Sequence, residues 1–321
     1  MQIGKLENNL LNEIIFKSLK KNVRHSCAIN HPQIGEDCSI LKLDKKFCVL
    51  SSDPITFTSD NIGQLAVNIN LNDLVTSGAK PIGLMLTILL KPGTKQNELK
   101  DIMESIVESA NKFNLEILGG HTEITDAVNR NVVSVTIIGQ TDKIIDGEIL
   151  PSSKIIITKW AGIEATIIIA RMYEKYLRNK FGIEFLNKCL ELEKYLSVEK
   201  EAAICKNYSV CKMHDITEGG VFGALGEIFS NIEFGMKIFS SQIPILPQTK
   251  ILCSEFSLDP YKIISSGALL VFTNDEEKVI NKLNNEGINA KIIGEITQEN
   301  KICLCDGKPI EFSSLDEIYK L

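Results

Sequence analysis

The spacing of apolar residues predicts alternating strands and helices in the first half of the chain. Apolar side chains recur every three or four positions over residues 5–21, which predicts an amphipathic helix. Strands are predicted over 38–43, 47–52, 81–90, 115–118 and 132–138, and further helices over 62–77 and 96–113. This order of elements is typical of an α+β or split βαβ domain.

A cluster of turn residues over 146–153, including Gly147 and Pro151, predicts a boundary between two domains. We therefore expect an N-terminal domain over 1–150 and a C-terminal α/β domain over 151–321. The second domain is predicted to have strands at 154–159, 210–214, 234–238, 268–272, 290–296 and 301–305, and helices within 163–206 and over 221–230 and 276–286.

Composition narrows the class of protein. The chain has 321 residues, which suits two domains, and its 44% hydrophobic and 24% charged residues are normal for a globular enzyme. The net charge of −6 argues against nucleic acid as the main partner, because phosphate binding favours a basic face. Mild acidity is compatible with a nucleotide that arrives with magnesium.

Cysteine usage and hydropathy indicate the cellular compartment of the protein. No run of about twenty apolar residues is present, so no membrane span is expected, and the polar start of the chain lacks the apolar centre of a signal peptide. The nine cysteines are odd in number and irregularly spaced, which favours thiols in a reducing compartment. We expect a cytoplasmic protein.

Two acidic turns flank the first predicted hairpin. Gly35-Glu36-Asp37 precedes it and Ser51-Ser52-Asp53 ends it, so Asp37 and Asp53 could approach each other. Two neighbouring carboxylates repel unless a cation lies between them, and magnesium prefers hard oxygen ligands. Two ordinary turn aspartates explain the pattern equally well.

The helix over 62–77 carries an unusual polar run, Asn68-Ile69-Asn70-Leu71-Asn72-Asp73. Asparagine and aspartate are poor helix formers, so their presence inside an amphipathic helix needs a reason. Asp73 lies among apolar residues, and a buried carboxylate must be paired or hold a metal. The alternative is a polar stripe that faces solvent.

Two glycine pairs lie beside polar residues at predicted strand ends. In Gly119-Gly120-His121-Thr122-Glu123 the glycines would let backbone N–H groups approach a phosphate, although a simple turn is also possible. In His214-Asp215-Ile216-Thr217-Glu218-Gly219-Gly220 the glycines open a predicted helix, where an anion could bind. A capping turn is the alternative reading.

Taken in order, these motifs resemble the superfamily of aminoimidazole-ribonucleotide synthase (PurM), which includes thiamine-monophosphate kinase and the hydrogenase expression/formation protein HypE. The resemblance spans nearly the whole chain and is strongest to the HypE-like branch. Besides the segments already quoted, it rests on the segments 72–81 and 158–166.

The resemblance implies a PurM-like two-domain fold of the α+β and α/β type. Its N-terminal domain would dimerise through a β-barrel formed across two subunits, with ATP and Mg²⁺ bound near that interface. Residue by residue, it implies magnesium ligands at Asp37, Asp53 and Asp73. It implies nucleotide contacts at Asn72, Gly119, Gly120, His121, Thr122, Gly219 and Gly220, and catalytic roles for His121, Glu123 and Asp215.

The implied chemistry is ATP-dependent phosphoryl transfer to an amide-like or phosphate oxygen of an unidentified small-molecule or protein-thiol acceptor. Two departures from HypE bear on that acceptor. The last cysteine is Cys305 rather than a C-terminal one, and Ser265-Ser266-Gly267 stands where HypE tends to have an acidic residue before glycine. We therefore do not expect synthesis of a cyanide ligand. The alternatives are a small-molecule kinase resembling thiamine-monophosphate kinase and a non-catalytic maturation or scaffold protein.

Overall fold

A computed structural model describes residues 29, 33–34, 38–56, 61–298, 301–310, 312 and 315–321. The strands are β1 Ser39–Leu43, β2 Lys46–Ile55, β3 Lys80–Leu90, β4 Glu116–Ile124, β5 Val132–Thr141, β6 Lys154–Thr158, β7 Val210–Asp215, β8 Gly235–Ile238, β9 Leu269–Thr273, β10 Ala290–Thr297, β11 Cys303–Cys305 and β12 Lys308–Pro309. The α-helices are α1 Ile62–Thr76, α2 Gln96–Lys112, α3 Ile163–Met172, α4 Glu174–Phe181, α5 Ile183–Leu190, α6 Glu199–Cys205, α7 Gly220–Ser230, α8 Pro247–Glu255 and α9 Glu276–Asn285. The helix predicted over 5–21 lies outside the described residues.

Contacts divide the described residues into two units. The first contains residue 29 and residues 38–144, and the second contains residues 33–34 and 145–321. Within the described part of the chain, no helix is long and apolar enough to cross a membrane.

The first unit contains one five-stranded sheet among the described residues, in the order β1-β2-β5-β3-β4. β1 and β2 form the predicted antiparallel hairpin, and β2 continues to pair with β5. β3 and β4 are parallel, joined by α2 as a βαβ unit. The sheet is open within the single chain, so the barrel implied by the resemblance would need a second copy.

Helices cover one face of this sheet. α1 packs against β2, β3 and β5, and α2 packs against α1 and β4. The side chains that point toward the helices are buried and alternate with more exposed ones, as expected for a one-sided sheet. They include Leu84, Leu86, Ile88, Val133, Val135 and Ile137.

The two helices approach each other closely at Gly63 in α1. A β-carbon placed there would lie 2.6 Å from the carbonyl oxygen of Ile102 and would also collide with the Ser105 hydroxyl. Glycine is therefore required by the close approach of α1 to α2, because cores of native density cannot absorb an added side chain without strain.

The second unit contains a seven-stranded sheet in the described residues, ordered β12-β11-β8-β10-β6-β9-β7. Its pairs are antiparallel except for the parallel pair β8–β11. One apolar core joins the sheet to α7, and a second joins α3, α5 and α8 to Ile318 near the C-terminal end of the sequence. α8 is a helix that the hydrophobic pattern did not predict.

The contact at Gly63 gives a testable prediction. We expect Gly63→Val to lower the free energy of unfolding by about 1–3 kcal/mol, the range for overpacked cores. Gln64→Ala on the same helix should change it by less than about 0.5 kcal/mol, as is usual away from tight contacts. Urea titration of both variants measures the difference, and equal stabilities would show that α1 and α2 do not pack as described.

Candidate functional site

The polar run of α1 is buried against β2 rather than exposed. Asn68, Asn70, Asn72 and Asp73 are all at most 5% exposed, so the solvent-facing alternative for this run is wrong. Asn70 explains part of the pattern. Its side-chain oxygen accepts a hydrogen bond from the Asp53 backbone N–H at 2.7 Å, and its amide nitrogen donates to the Asp53 carbonyl oxygen at 3.1 Å.

Asp73 is held by the same strand. The Ser51 hydroxyl donates to Asp73 Oδ2 at 2.8 Å, within a buried environment. The Cys38 thiol and the Thr76 hydroxyl both donate to the Asp73 backbone carbonyl oxygen. The backbone of Asp53 and the hydroxyl of Ser51, both in β2, thus fix the position of α1 relative to β2.

These contacts bring Asp53 and Asp73 to adjacent elements. Asp53 lies two residues after Ser51, so both side chains leave β2 on the face that α1 covers, and the Asp53 side chain stays exposed. Asp37, the third predicted ligand, lies outside the described residues. Among the residues that are described, no three His, Cys, Asp or Glu side chains are placed to hold a metal ion. The magnesium site therefore remains a prediction.

Asn72 is fully buried in α1. The segment from Gly119 to Glu123, where phosphate contacts were predicted, lies in an exposed strand. Gly119 to Glu123 were expected in a loop after a strand that ended at 118. They instead belong to β4, which forms one edge of the sheet and runs on to Ile124. Glycine suits this edge, because a β-carbon at Gly120 would collide with the Leu86 backbone.

Strand register relates this edge to the acidic residues. Asp53 pairs with Val135, Val135 pairs with Leu86, and Leu86 pairs with Gly120. Gly120 therefore lies on the same row of the sheet as Asp53, three strand spacings or about 14 Å away. That separation is too long for one metal ion to bridge the two residues.

The side chains of β4 alternate between the two faces. Thr122 pairs with the buried Ile88 and so shares the helix-covered face with Gly120, whereas His121 pairs with the exposed Thr87. His121 Nε2 lies 3.2 Å from Glu123 Oε2, and both side chains are on the open face. The predicted phosphate-binding and catalytic residues of this strand are thus divided between opposite faces, and their roles remain predictions.

In the second unit, another part of the chain binds the glycine pair at the start of α7. The Gly219 N–H donates to Asp316 Oδ2 at 2.6 Å, and Asp316 also accepts from the Ile318 N–H at 2.8 Å. Gly220 has φ +62° and lies against the backbone at Tyr261 and Ile263, where a β-carbon would not fit. Asp316 thus caps this helix N-terminus, which the sequence pattern did not reveal, and the nucleotide contacts predicted at Gly219 and Gly220 remain predictions.

Asp215, the predicted catalytic residue of this unit, ends β7 and is 2% exposed. It belongs to a group that we call the acidic cluster, which consists of Glu164, Asp215, Glu218 and Asp316. Burial raises the pKa of Glu164 to about 7; the Ser266 hydroxyl opposes this rise, and the other three carboxyl groups add to it. Burial also raises the pKa of Asp316 to about 6, against the lowering effect of its backbone N–H donors.

Sequence reasoning missed Glu164 and Asp316. A signal for Glu164 was present, since it is the one charged residue in the apolar run 161–170 and a charged residue is rarely buried without a reason. Asp316 gave no such signal, because Gly219, the residue that it caps, lies about a hundred residues earlier in the chain.

The contact between Asn70 and β2 can be tested. We expect Asn70→Ala to lower the free energy of unfolding by about 1–3 kcal/mol, since it leaves the Asp53 N–H and C=O groups unpaired, and to speed amide hydrogen exchange at Asp53. Asn97→Ala at an exposed position of α2 should change stability by less than about 0.5 kcal/mol. Indistinguishable behaviour of the two variants would contradict the assigned role of Asn70.

Comparison with known proteins identifies the family. The model for the AIR synthase related protein, N-terminal domain, matches residues 35–141, and the model for the corresponding C-terminal domain matches residues 151–304. Together these models cover most of the chain.

Individual relatives agree with this assignment. The chain is 29% identical over 315 residues to a putative hydrogenase expression/formation protein of Methanocaldococcus jannaschii, covering 93% of this chain and 90% of the relative. It is 26% identical over 257 residues to the carbamoyl dehydratase HypE of Cupriavidus necator, covering 77% and 71% of the two chains.

Solved structures show the same fold. A ThiL structure complexed with AMPPCP and TMP superimposes with a TM-score of 0.76 at 16% identity, covering 97% of this chain and 98% of the other. The hydrogenase maturation protein HypE in complex with ATP gives a TM-score of 0.70 at 18% identity, covering 99% and 97%. The predicted PurM-like two-domain fold is confirmed, and the chain belongs to the AIR synthase related protein family.

Proposed function

We propose that this protein is an ATP-dependent enzyme that binds Mg-ATP with its N-terminal unit and transfers a phosphoryl group to an amide-like or phosphate oxygen of an acceptor. The observation that carries the proposal is the placement of Asp53 and Asp73 on two adjacent elements, β2 and α1, that hydrogen bonds hold together in a chain of this family. The ATP complex of HypE and the AMPPCP complex of ThiL support a nucleotide as the ligand.

The residues present fit a magnesium ion. Asp53 offers an exposed carboxylate, and Asp73 offers a carboxylate that Ser51 holds in place. Carboxylate oxygens are the ligands that Mg²⁺ prefers in sites that also use phosphate oxygens. When bound, the ion would neutralise the negative charge that phosphoryl transfer develops, and Asp37 would be its third protein ligand. Asn70 and Ser51 contribute by positioning the two described carboxylates in advance.

The edge strand β4 completes the proposed nucleotide site. Gly120 and Thr122 lie on the same face of the sheet as Asp53, with the buried Val135 and Leu86 between Asp53 and Gly120 on the same row. Gly119, as a residue without a side chain, leaves the strand backbone accessible to phosphate oxygens. His121 and Glu123 face the other side of the sheet, which is open in the single chain.

We propose that a second copy of the chain packs on the open face of the five-stranded sheet. Met85 in β3 and Leu118 in β4 are 47% and 48% exposed on neighbouring strands, an unusual exposure for large apolar side chains in a sheet. A homodimer that joins two open sheets would bury them, in agreement with the barrel that the resemblance implies.

The acceptor is proposed to be a small molecule or a protein thiol. The relative named carbamoyl dehydratase favours an amide-like group, and the relative named as a putative hydrogenase expression/formation protein favours a maturation role. Asp215 is the residue of the second unit proposed to act on the acceptor. Gly219 and Gly220 would form the turn that holds its segment, although Asp316 takes the Gly219 N–H.

A small-molecule kinase is the second candidate, favoured by the TM-score of 0.76 to ThiL. At 16% sequence identity, this structural similarity supports a shared fold but not a shared substrate. A direct assay is therefore needed to test the kinase hypothesis. Phosphate transfer from ATP to thiamine monophosphate would establish it, and absence of that product with intact Mg-ATP turnover would favour the first candidate.

The proposed magnesium site predicts a specific loss of affinity. We expect Asp53→Asn to raise the Kd for Mg-ATP at least tenfold, or about 1.4 kcal/mol, because it removes a charged oxygen ligand. The fold should persist, since Asn70 binds the backbone of Asp53 and not its side chain.

Asp44→Asn is the matched control for this calorimetric titration. It removes the same charge from the exposed turn between β1 and β2, where asparagine tolerates the positive φ of 53°. Its affinity should equal that of the unmodified protein. Equal weakening by both variants would indicate a general charge effect and contradict a metal ligand at Asp53.

The proposed dimer predicts a change of mass. The unmodified protein should sediment as a dimer, and Met85→Lys should shift it to a monomer, because an unpaired charge is costly in an apolar interface. Ile251→Lys replaces an equally apolar, exposed residue of α8 and should leave the dimer intact. A monomer in the unmodified protein, or dissociation by both variants, would exclude this face as the interface.

A further inference from the structure

The turn between β1 and β2 borders an open cavity on the sheet of the first unit. The cavity has a volume of about 910 Å³, which is within the usual range of ligand pockets. Four strands contribute apolar side chains to its lining: Leu43 from β1, Cys48 from β2, Ile82 from β3 and Ile138 from β5. The cavity is therefore built by the sheet itself and not by a single loop.

Strand register places much of this lining on the face of the sheet opposite α1 and α2. Leu43 pairs with Lys46, two residues before Cys48 on β2, so all three side chains leave the sheet on the same side. Leu43 is 55% exposed and Ile82 is 42% exposed. Large apolar side chains that are exposed together around a concave surface indicate a place where another molecule binds.

Positive charge is concentrated around the cavity. The three chain segments that surround it, residues 42–48, 80–82 and 138–143, contain five lysines and two aspartates, although the whole chain has a net charge of −6. All five lysines are exposed, and none forms an ion pair with a residue that the structure describes. They are Lys42, Lys45, Lys46, Lys80 and Lys143. The charge is therefore available to a partner.

The spacing of these lysines favours a ligand with several separate acidic groups. Cys48 pairs with Gln140, and Gln140 pairs with Lys80. Because Lys46 lies two residues before Cys48, the α-carbons of Lys46 and Lys80 are about 12 Å apart on the same face of the sheet. Acidic side chains about four residues apart in an extended chain match that spacing.

We propose that this cavity is a docking site for an acidic segment of a partner protein. The apolar side chains of the segment enter the cavity, and its carboxylates pair with the lysines around it. Complementary charge of this kind selects the partner and speeds its encounter, while apolar burial contributes affinity.

The observations favour this occupant over two others. A nucleic acid would gain little from an apolar lining and would be repelled by the net charge of the chain. A second copy that met the cavity with its own copy of this surface would bring lysines against lysines, which is costly. Met85 and Leu118, the proposed dimer contacts, lie on β3 and β4, away from the turn between β1 and β2.

Fluorescence anisotropy with the full chain and a labelled synthetic peptide of repeated Glu-Glu-Leu units tests the proposal. We expect binding at low salt that weakens as salt is added, because exposed charges are screened. Peptides of Gln-Gln-Leu and of Glu-Glu-Ser units should each bind about tenfold more weakly or worse, since several ion pairs or apolar contacts are lost at once. Equal binding of the three peptides, or no binding of the Glu-Glu-Leu peptide, would overturn the proposal.

Variants at exposed positions locate the site on the protein. Lys46→Glu and Leu43→Ser should each weaken binding of the Glu-Glu-Leu peptide by about fivefold. Asp44→Asn should tighten it, because this change removes a negative charge that lines the cavity. Lys175→Glu is the matched control, since it reverses the charge of an exposed lysine of α4 in the second unit, and it should bind the peptide as the unmodified protein does.

Three results would assign the surface differently. Equal weakening by Lys175→Glu and Lys46→Glu would show a general charge effect and no localised site. A change of sedimenting mass in Lys46→Glu would show that the cavity is an interface between copies of this chain. Tighter binding of a labelled oligothymidine strand than of the Glu-Glu-Leu peptide would identify a nucleic acid as the ligand. Each of these results would overturn the proposed acidic protein partner.

Discussion

The burial of polar side chains of α1 against β2 is the interaction on which the N-terminal unit depends. A buried amide is costly unless its hydrogen bonds are made, and Asn70 makes them with the backbone of Asp53. Ser51 does the same for the carboxylate of Asp73. Because these bonds fix a helix to a strand, they also fix two acidic groups before any ligand arrives, which reduces the entropic cost of binding one.

The acidic side chains of the two units lie in different environments. In the first unit, Asp53 keeps its carboxylate exposed on β2 and Ser51 binds the buried carboxylate of Asp73 on the adjacent α1. In the second unit Glu164 is enclosed by other acids, and a proton is the smallest group that balances it. The same physical requirement, that buried charge be compensated, thus accompanies a proposed metal site in one unit and carboxyl groups with raised pKa values in the other.

Much of the fold could be predicted because it depends on local patterns. The alternation in β2 and β5 and the periodicity of α1 and α2 gave these elements within a few residues at most boundaries. β4 was predicted too short, since an exposed edge strand has no alternation and its two glycines imitate a turn. The acidic cluster could not be predicted, because residues 164, 215, 218 and 316 meet only through tertiary packing. The position of Asn70 was recognised as unusual, but its partner is a backbone group that no sequence motif marks.

The acidic residues on β2 and α1 are proposed to bind the magnesium of a nucleotide. A crystal structure of the protein with Mg²⁺ and a non-hydrolysable ATP analogue tests it most directly. We expect a magnesium ion coordinated by Asp53, Asp73 and phosphate oxygens of the nucleotide. A nucleotide bound elsewhere, or a magnesium ion with no contact to either aspartate, would contradict it.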